Sequence, residues 1–305
     1  MTAVATTARW RRRPRTTALE VVALGPRLQL ARGALLGLFV LSTSLLMELL
    51  VVSGLQQRAA QQRAYDALRS DLATGTAPTG PTDADGRVLA LGAPVAYLEI
   101  PAIGLRQVIV EGTTPSNLFT GPGHRRDTPL PGQIGTSMVL GRRAAFGGPF
   151  ARIDDLDTGD LIRVTTGQGA FDYRVRGVRA EGEPAPPPLT AGKGRLLLAT
   201  AAGRPFMPDG VLRVDADLDG DAVGGAPRLI GASAVPASEQ VMGADASTLW
   251  ALALWLQVLT ALVVAAVWAW HRWGRVAAWV VFLPPLILVG LNVSGEAARL
   301  MPNLL

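Results

Sequence analysis

Few side chains in this chain are of the types that carry out covalent or acid–base chemistry. There is no cysteine among the 305 residues, which excludes thiol nucleophiles, thiolate metal sites and disulfides. The two histidines are His271 and His124, and we interpret His124, in a Gly-Pro-Gly-His segment, as a hydrogen-bonding group of a loop. A hydroxyl group needs a neighbouring base to become a strong nucleophile. No histidine partner is evident for the hydroxyl side chains considered, which are Thr136, Ser137, Thr190 and Thr200.

Carboxylates cluster in one short stretch, but their spacing is not that of an EF-hand loop. We therefore expect a solvated loop at these residues, which are Asp154, Asp155, Asp157 and Asp160. The sequence contains no phosphate-binding loop, metal motif or dinucleotide signature. We predict neither a metal nor another cofactor.

The positive charge of the chain is concentrated at its start. Residues 1–32 contain seven arginines and a single glutamate, so they account for the net charge of +5. No basic stripe with interleaved aromatic residues is present, and nucleic acid is therefore a poor candidate partner. A basic segment just before a long apolar run is typical of a membrane topology signal. We interpret residues 1–32 as a cytoplasmic tail.

Three apolar stretches predict membrane-spanning helices and make the lipid bilayer an expected partner. Residues 33–55 are long enough to cross a hydrocarbon core of about 30 Å, and no signal-peptide cleavage site follows them, so we interpret them as a signal anchor. Residues 247–270 and 276–295 form the other two, with tryptophans near their ends and arginines in the turn between them. The positive-inside rule predicts a cell-membrane protein with three spans, a cytoplasmic start and an external end at residues 296–305.

The segment after the first span predicts an extracellular β domain. Residues 56–94 indicate a helix followed by a flexible tether, and residues 219–246 indicate a second linker. Between them, β-type runs are separated by Gly, Pro and Asp turns at residues 95–100, 105–111, 137–141, 161–166, 171–178, 195–200 and 211–217. This spacing favours a compact β-barrel or sandwich over residues 95–218.

The last two β-type runs, Arg195–Thr200 and Val211–Asp217, flank a predicted loop rich in Gly and Pro. The first run ends in Leu-Ala-Thr and is followed by Ala201. It resembles the strand that ends Leu-x-Thr-Cys in sortases, the cysteine transpeptidases of Gram-positive cell surfaces. Three further segments are similar to successive parts of that family, namely Glu99–Thr114, Gly121–Arg143 and Phe146–Val164. The resemblance covers roughly residues 95–218 and is greatest to the actinobacterial class E type. It implies a mainly β fold, a closed sortase-like barrel of about eight strands beside the three transmembrane helices.

The resemblance also implies which positions carry the family's chemistry. A sortase Cys attacks the Thr–Gly carbonyl of a sorting signal, a His transfers protons and an Arg stabilises the oxyanion. The matching residues here are Ala201 for the Cys, Arg142 for the His and Gly210 for the Arg, although an alignment with a longer loop places Arg213 in the Arg role. A methyl group cannot form an acyl-enzyme. The resemblance therefore implies a pseudoenzyme with no catalytic residue.

Our leading hypothesis is that the vacated groove binds a sorting-signal-like peptide, or a membrane or cell-wall protein, without cleaving it. The expected groove residues are Arg142, Leu198, Thr200, Ala201 and Arg213. Two alternatives remain open. The protein could be a scaffold of a membrane complex that acts through its helices, with Glu48 or Glu296 paired to Arg299. It could also be a transpeptidase or hydrolase with residual activity that does not need cysteine.

Overall fold

The structure, a computed structural model, describes residues 26–305, so most of the predicted tail 1–32 lies outside the described residues. The chain divides into two compact units between Val40 and Leu41, and every strand belongs to the second unit. The helices are α1 (Pro26–Met47), α2 (Ser53–Thr74), α3 (Leu249–Trp273) and α4 (Arg275–Arg299). The strands are β1 (Pro94–Ile100), β2 (Leu105–Glu111), β3 (Gly123–His124), β4 (Gly135–Leu140), β5 (Leu161–Thr166), β6 (Gly169–Arg179), β7 (Gly194–Arg204) and β8 (Met207–Leu218).

Three helical stretches in residues 26–305 are long and apolar enough to cross a membrane, as predicted. They are Gly37–Thr74, Ala246–Trp270 and Val276–Arg299. The first includes α2, which follows α1 after a π-helical turn at Glu48–Val52. Both later helices exceed their predicted bounds, because Gly274 alone separates α3 from α4 and α4 continues to Arg299. Apolar side chains such as Leu254, Val280 and Leu288 are exposed on these helices, which suits contact with lipid.

The strands form a closed eight-stranded barrel in the order β1-β2-β3-β4-β7-β8-β6-β5, with β1 paired to β5. The predicted barrel and its β5–β6 hairpin are confirmed. Strand β3 was missed, because two residues are too short to show an alternating pattern. Closure buries an apolar interior to which alternate residues of most strands contribute, including Leu98, Ile109, Val139, Leu198 and Val214.

The prediction of a loop over residues 201–210 was wrong. Strands β7 and β8 stay paired as far as Arg204 and Met207, so only Pro205 and Phe206 connect them. The register shifts between Ala202, which pairs with Gly210, and Gly203, which pairs with Pro208, so Asp209 of β8 is the extra residue of a bulge and Pro208 is next to it. Proline has no backbone N–H to donate, and a bulge is a position in a strand where such a donor is not needed. The Gly and Pro residues of this stretch are therefore compatible with a long hairpin and do not form a loop.

Candidate functional site

The three positions that match the sortase catalytic residues lie at the same end of the barrel. Strands β4 and β7 are parallel, with Leu140 opposite Ala199, and the pairing extends to a hydrogen bond of 3.0 Å from Gly141 N to Ala199 O. Arg142 and Ala201 therefore follow paired residues on neighbouring strands. Strand β8 places Val211 opposite Ala201. We call the cleft over Ala199, Ala201 and Val211 the groove.

Side chains of β7 alternate between the groove and the barrel interior. Ala199 and Ala201 belong to an apolar cluster outside the barrel, whereas Leu198 belongs to the interior core. Thr200 is fully buried, and its Oγ1 donates to Gly141 O at 2.8 Å. The prediction that Leu198 and Thr200 line the groove was therefore wrong, because successive residues of a strand point to opposite sides.

The register of β8 distinguishes the two candidates for the Arg role. Arg213 lies opposite Ala199, and Gly210 lies opposite Ala202. Residues directly opposite each other on paired strands share a face, so Arg213 is on the same face as Ala201 and Gly210 is on the other. Arg213 is half-buried and forms no ion pair with any other described residue. The register thus favours Arg213 as the arginine of the groove.

Arg142 is completely buried and has no acidic partner within ion-pair distance in the described part of the chain. Its Nη1 donates to Leu305 O at 2.8 Å and its Nη2 donates to Pro115 O at 3.4 Å. Its Cζ lies 4.7 Å from the ring centre of Phe119 and 5.2 Å from that of Phe146. Burial lowers the pKa of Arg142 to about 9. The guanidinium therefore remains charged at neutral pH and is held by carbonyl groups and aromatic faces.

Residues 301–305 of the chain lie in the groove, which the sequence analysis did not predict. Leu304 and Leu305 pack in the same cluster as Ala201, and Leu304 O accepts a hydrogen bond of 2.9 Å from Arg143 N. Helix α4 extends to Arg299, so the first four residues of the predicted end segment 296–305 belong to that helix and residues 301–305 dock on the barrel. The available signal was composition, since Met-Pro-Asn-Leu-Leu is too apolar for a tail that projects into water.

The predicted linker 219–246 closes one side of the groove. Glu239 is buried and forms a bidentate ion pair with Arg126, including a bond of 2.9 Å from Arg126 Nε. The backbone oxygen of Glu239 accepts a hydrogen bond of 2.7 Å from Thr113 Oγ1. Val241 and Met242 then pack against the groove cluster. These contacts fix the segment on the barrel, so it is not a free tether.

His124 is buried in β3 and holds a hydrogen-bond network together. Its Nδ1 is 2.8 Å from Glu111 Oε2, its Nε2 is 3.0 Å from Pro129 O, and Thr128 Oγ1 is 3.2 Å from Nε2. Burial, the largest single influence, lowers its pKa, but the Glu111 carboxylate, Pro129 O and Asp127 together raise it, so the net pKa of His124 lies above its ordinary value. Both ring nitrogens face acceptor oxygens and must donate. The imidazolium has no lone pair with which to activate Thr128 as a nucleophile.

The remaining charged candidates make local contacts. Asp154 pairs with Arg143 at 2.8 Å, and no three His, Asp or Glu side chains of residues 26–305 converge on a possible metal position. In α4, Arg299 pairs with Glu296 at 3.2 Å, which is one of the two predicted partners. Glu48 instead accepts a hydrogen bond from Gln56 at 3.2 Å.

Comparison with known proteins identifies the barrel. A model of the sortase domain matches residues 98–200. Sortase D of Bacillus subtilis (strain 168) is 36% identical over 78 residues, which cover 26% of this chain and 38% of that relative, so well under two thirds of the relative is spanned. A solved Clostridium perfringens sortase D5 transpeptidase is 21% identical, with 53% of this chain and 99% of that chain covered and a TM-score of 0.45. Sortase E from Streptomyces avermitilis is 28% identical, with coverages of 43% and 91% and a TM-score of 0.37.

Proposed function

Because this chain is a sortase-family protein with a sortase domain at residues 98–200, we propose that it is a membrane-anchored, non-catalytic member that binds a peptide or partner in its groove. One observation carries the proposal. Ala201, with a methyl side chain, lies in β7 at the position that the resemblance assigns to the sortase nucleophile, and the chain contains no cysteine to replace it. A transpeptidase must form a covalent acyl intermediate, and a methyl group cannot do so.

The hydroxyl groups near this end of the barrel do not offer a substitute. Thr200 faces the interior and donates to Gly141 O. Ser137 is buried and alternates with Met138, which belongs to the groove cluster, so it too faces away from the groove. His124 is occupied at both ring nitrogens. A cysteine-independent transpeptidase or hydrolase would lack both nucleophile and base.

The groove retains the features needed to hold a peptide. It accommodates residues 301–305 through an apolar floor and hydrogen bonds to their backbone. Backbone hydrogen bonds supply affinity for an extended peptide whatever its side chains are, and pockets add specificity. Arg213, which has no described ionic partner, adds a positive charge on the same face. These features support binding of a peptide without chemistry.

The catalytic part of the proposal is tested by hydroxylamine trapping of a sorting-signal peptide, with an active sortase as positive control. We expect no turnover by the full-length protein in detergent micelles. The Ala201→Cys variant should also be inactive, because Arg142 holds the His position and residues 301–305 cover the groove. Turnover by the unmodified protein would overturn the proposal.

The proposed orientation has a cytoplasmic start and an extracellular barrel. It is supported by the arginine-rich start of the chain and by the arginines between the last two apolar stretches. Because the chain has no cysteine, a variant with one introduced cysteine can be labelled with a thiol reagent without background from native cysteines. In intact cells a membrane-impermeant maleimide should label Lys193→Cys, in a barrel loop, and should label Arg272→Cys only after lysis. The reverse pattern would refute the orientation.

A scaffold that acts through its helices is a second candidate, and one observation favours it. Ala298 of α4 packs in one buried cluster with Leu49, Ala145 and Phe146, so the helices are joined to the barrel by apolar contact. A photo-crosslinker at Leu288, exposed on α4, should capture a partner if the helices recruit it. Capture only by a crosslinker at Arg213 would instead support recruitment through the groove.

A further inference from the structure

We propose that residues 301–305, the docked segment, are a built-in ligand of the vacated groove, and that an external ligand must be a peptide that adopts the same turn and carries an asparagine side chain that displaces them. This inference rests on the proposed function, since it names the ligand class and the regulation of the same groove. The described state is then a closed state in which the chain occupies its own peptide site.

Apolar contact places the docked segment where a substrate would have to lie. Leu304 is fully buried and Leu305 nearly so, in one cluster with Ala199, Ala201 and Val211. Ala201, in the same cluster as the two leucines, is only 1% exposed. An external peptide that contacts Ala201 would therefore have to displace groups of this cluster, and the docked segment supplies the buried residues of the cluster that belong to neither strand nor helix.

Asn303 supplies the specificity of the docked segment. Its side chain is fully buried, and its Nδ2 donates to Thr113 O at 2.8 Å and to Gln240 O at 2.9 Å. A carboxamide can donate two hydrogen bonds, whereas a Ser or Thr hydroxyl donates one and a carboxylate donates none. The two facing carbonyl oxygens therefore select an asparagine and reject an aspartate, which would be buried against acceptors.

The backbone of the docked segment is held at three consecutive residues. Asn303 N donates to Gly243 O at 2.8 Å, Leu304 O accepts from Arg143 N, and Leu305 O accepts from Arg142 Nη1. The segment turns at Asn303 and Leu304, where Leu305 N donates to Pro302 O at 3.2 Å, and a peptide that adopts this turn presents the same backbone groups. The contacts that hold the segment are thus equally available to an external peptide that carries asparagine at the matching place.

The docked segment can leave without unwinding a helix. Helix α4 ends at Arg299, and the segment begins two residues later at Met301. Displacement therefore needs only the contacts of residues 301–305 to break. Release of the segment is expected to expose Ala201 while the barrel stays closed.

A single engineered thiol measures whether the docked segment covers the groove, because the chain has no cysteine of its own. The full-length Ala201→Cys protein in detergent micelles is treated with a maleimide, alone and combined with Asn303→Asp. We expect slow labelling of the first and at least about tenfold faster labelling of the second, since two buried hydrogen bonds are lost. Gln62→Glu makes the same amide-to-acid change on an exposed residue of α2 and should leave the rate unchanged.

A second thiol shows that the barrel remains folded. Ala216 is fully buried in the barrel interior, so Ala216→Cys should stay unlabelled in the Asn303→Asp background. A peptide with the sequence of residues 296–305, EAARLMPNLL, should then slow the labelling of Ala201→Cys/Asn303→Asp. The same peptide with aspartate in place of asparagine should have no effect.

Three results would overturn the inference. They are fast labelling of Ala201→Cys with the docked segment intact, an unchanged rate in the Asn303→Asp variant, and equal protection by the asparagine and aspartate peptides. None of these results bears on catalysis, which the hydroxylamine assay measures separately. Failure of the built-in ligand and failure of the non-catalytic assignment are therefore distinguishable.

Discussion

The buried charge of Arg142 predicts a specific dependence of stability on pH. Its pKa is lowered to about 9 because burial disfavours the charged guanidinium. At neutral pH both the folded and the unfolded chain carry this proton, and the fold bears the cost of the buried charge. Above about pH 9 the folded protein releases the proton while the unfolded chain keeps it, so the unfolded state binds more protons and stability rises with pH.

Replacing Arg142 with methionine removes this dependence while keeping an unbranched side chain beside the two stacked phenylalanine rings. Relative to Arg142→Met, the wild-type protein should gain about 1.4 kcal/mol in the free energy of unfolding between about pH 8 and about pH 10. That gain corresponds to a relative rise in melting temperature of about 3–6 °C. Tyr173, whose pKa burial raises to about 12, is present in both proteins, and its contribution cancels in the difference.

The measurement is the melting temperature of both full-length proteins in detergent micelles at pH 8, 9 and 10. Arg204→Met, which removes an exposed arginine at the β7–β8 turn, is the matched control and should show no such divergence from wild type. A difference between wild type and Arg142→Met that stays constant over this range would refute the argument. It would mean that the charge of Arg142 is solvated or paired in the folded protein.

Three further predictions concern the groove and its surroundings. Glu111→Gln should lower the pKa of His124, because the charge and the charged hydrogen-bond acceptor that Glu111 supplies are lost while burial continues to disfavour the imidazolium. In the wild type, protonated His124 adds stability below pH 6.5, and this stability is lost as the pH rises through its raised pKa. The variant should lose this contribution. NMR titration of the histidine ring and melting curves at several pH values measure the two effects. Leu304→Ala should weaken docking of the segment by about 2–4 kcal/mol and should speed proteolysis after Arg299, because Leu304 is fully buried. Equal proteolysis of the variant and the wild type would mean that Leu304 is solvated. Glu296→Gln removes a partly exposed ion pair and should cost less than about 1 kcal/mol, so a large fall in melting temperature would contradict it.

The fold was largely predictable because barrel strands leave local signals. Runs such as Leu105–Glu111 and Leu161–Thr166 have the bounds that their sequence predicts. The errors arose where a residue type has two structural uses. Pro208 and Gly203 are typical of loops, yet here they belong to a bulged hairpin whose pairing depends on the partner strand.

The site was only partly predictable, since its decisive contact is not local. The positions of Arg142 and Ala201 followed from short segments, and alternation along β7 could have removed Thr200 and Leu198 from the expected groove. The occupant could not be inferred in this way, because 163 residues separate Arg142 from Leu305. Short sequence patterns carry no information on which distant segment fills a cleft.

In the proposed function, the vacated catalytic positions and the filled groove are coupled by geometry. The methyl group of Ala201 belongs to the apolar cluster that holds Leu304 and Leu305, and Arg142 reaches Leu305 O through its Nη1. A cysteine placed at Ala201 would therefore lie beneath leucine side chains and not before a substrate carbonyl. We expect that Ala201→Cys, Arg142→His and Asn303→Asp each leave the hydroxylamine assay without turnover. Turnover by any one of these single variants would show that the groove is open and that its chemistry can be restored independently of the segment that fills it.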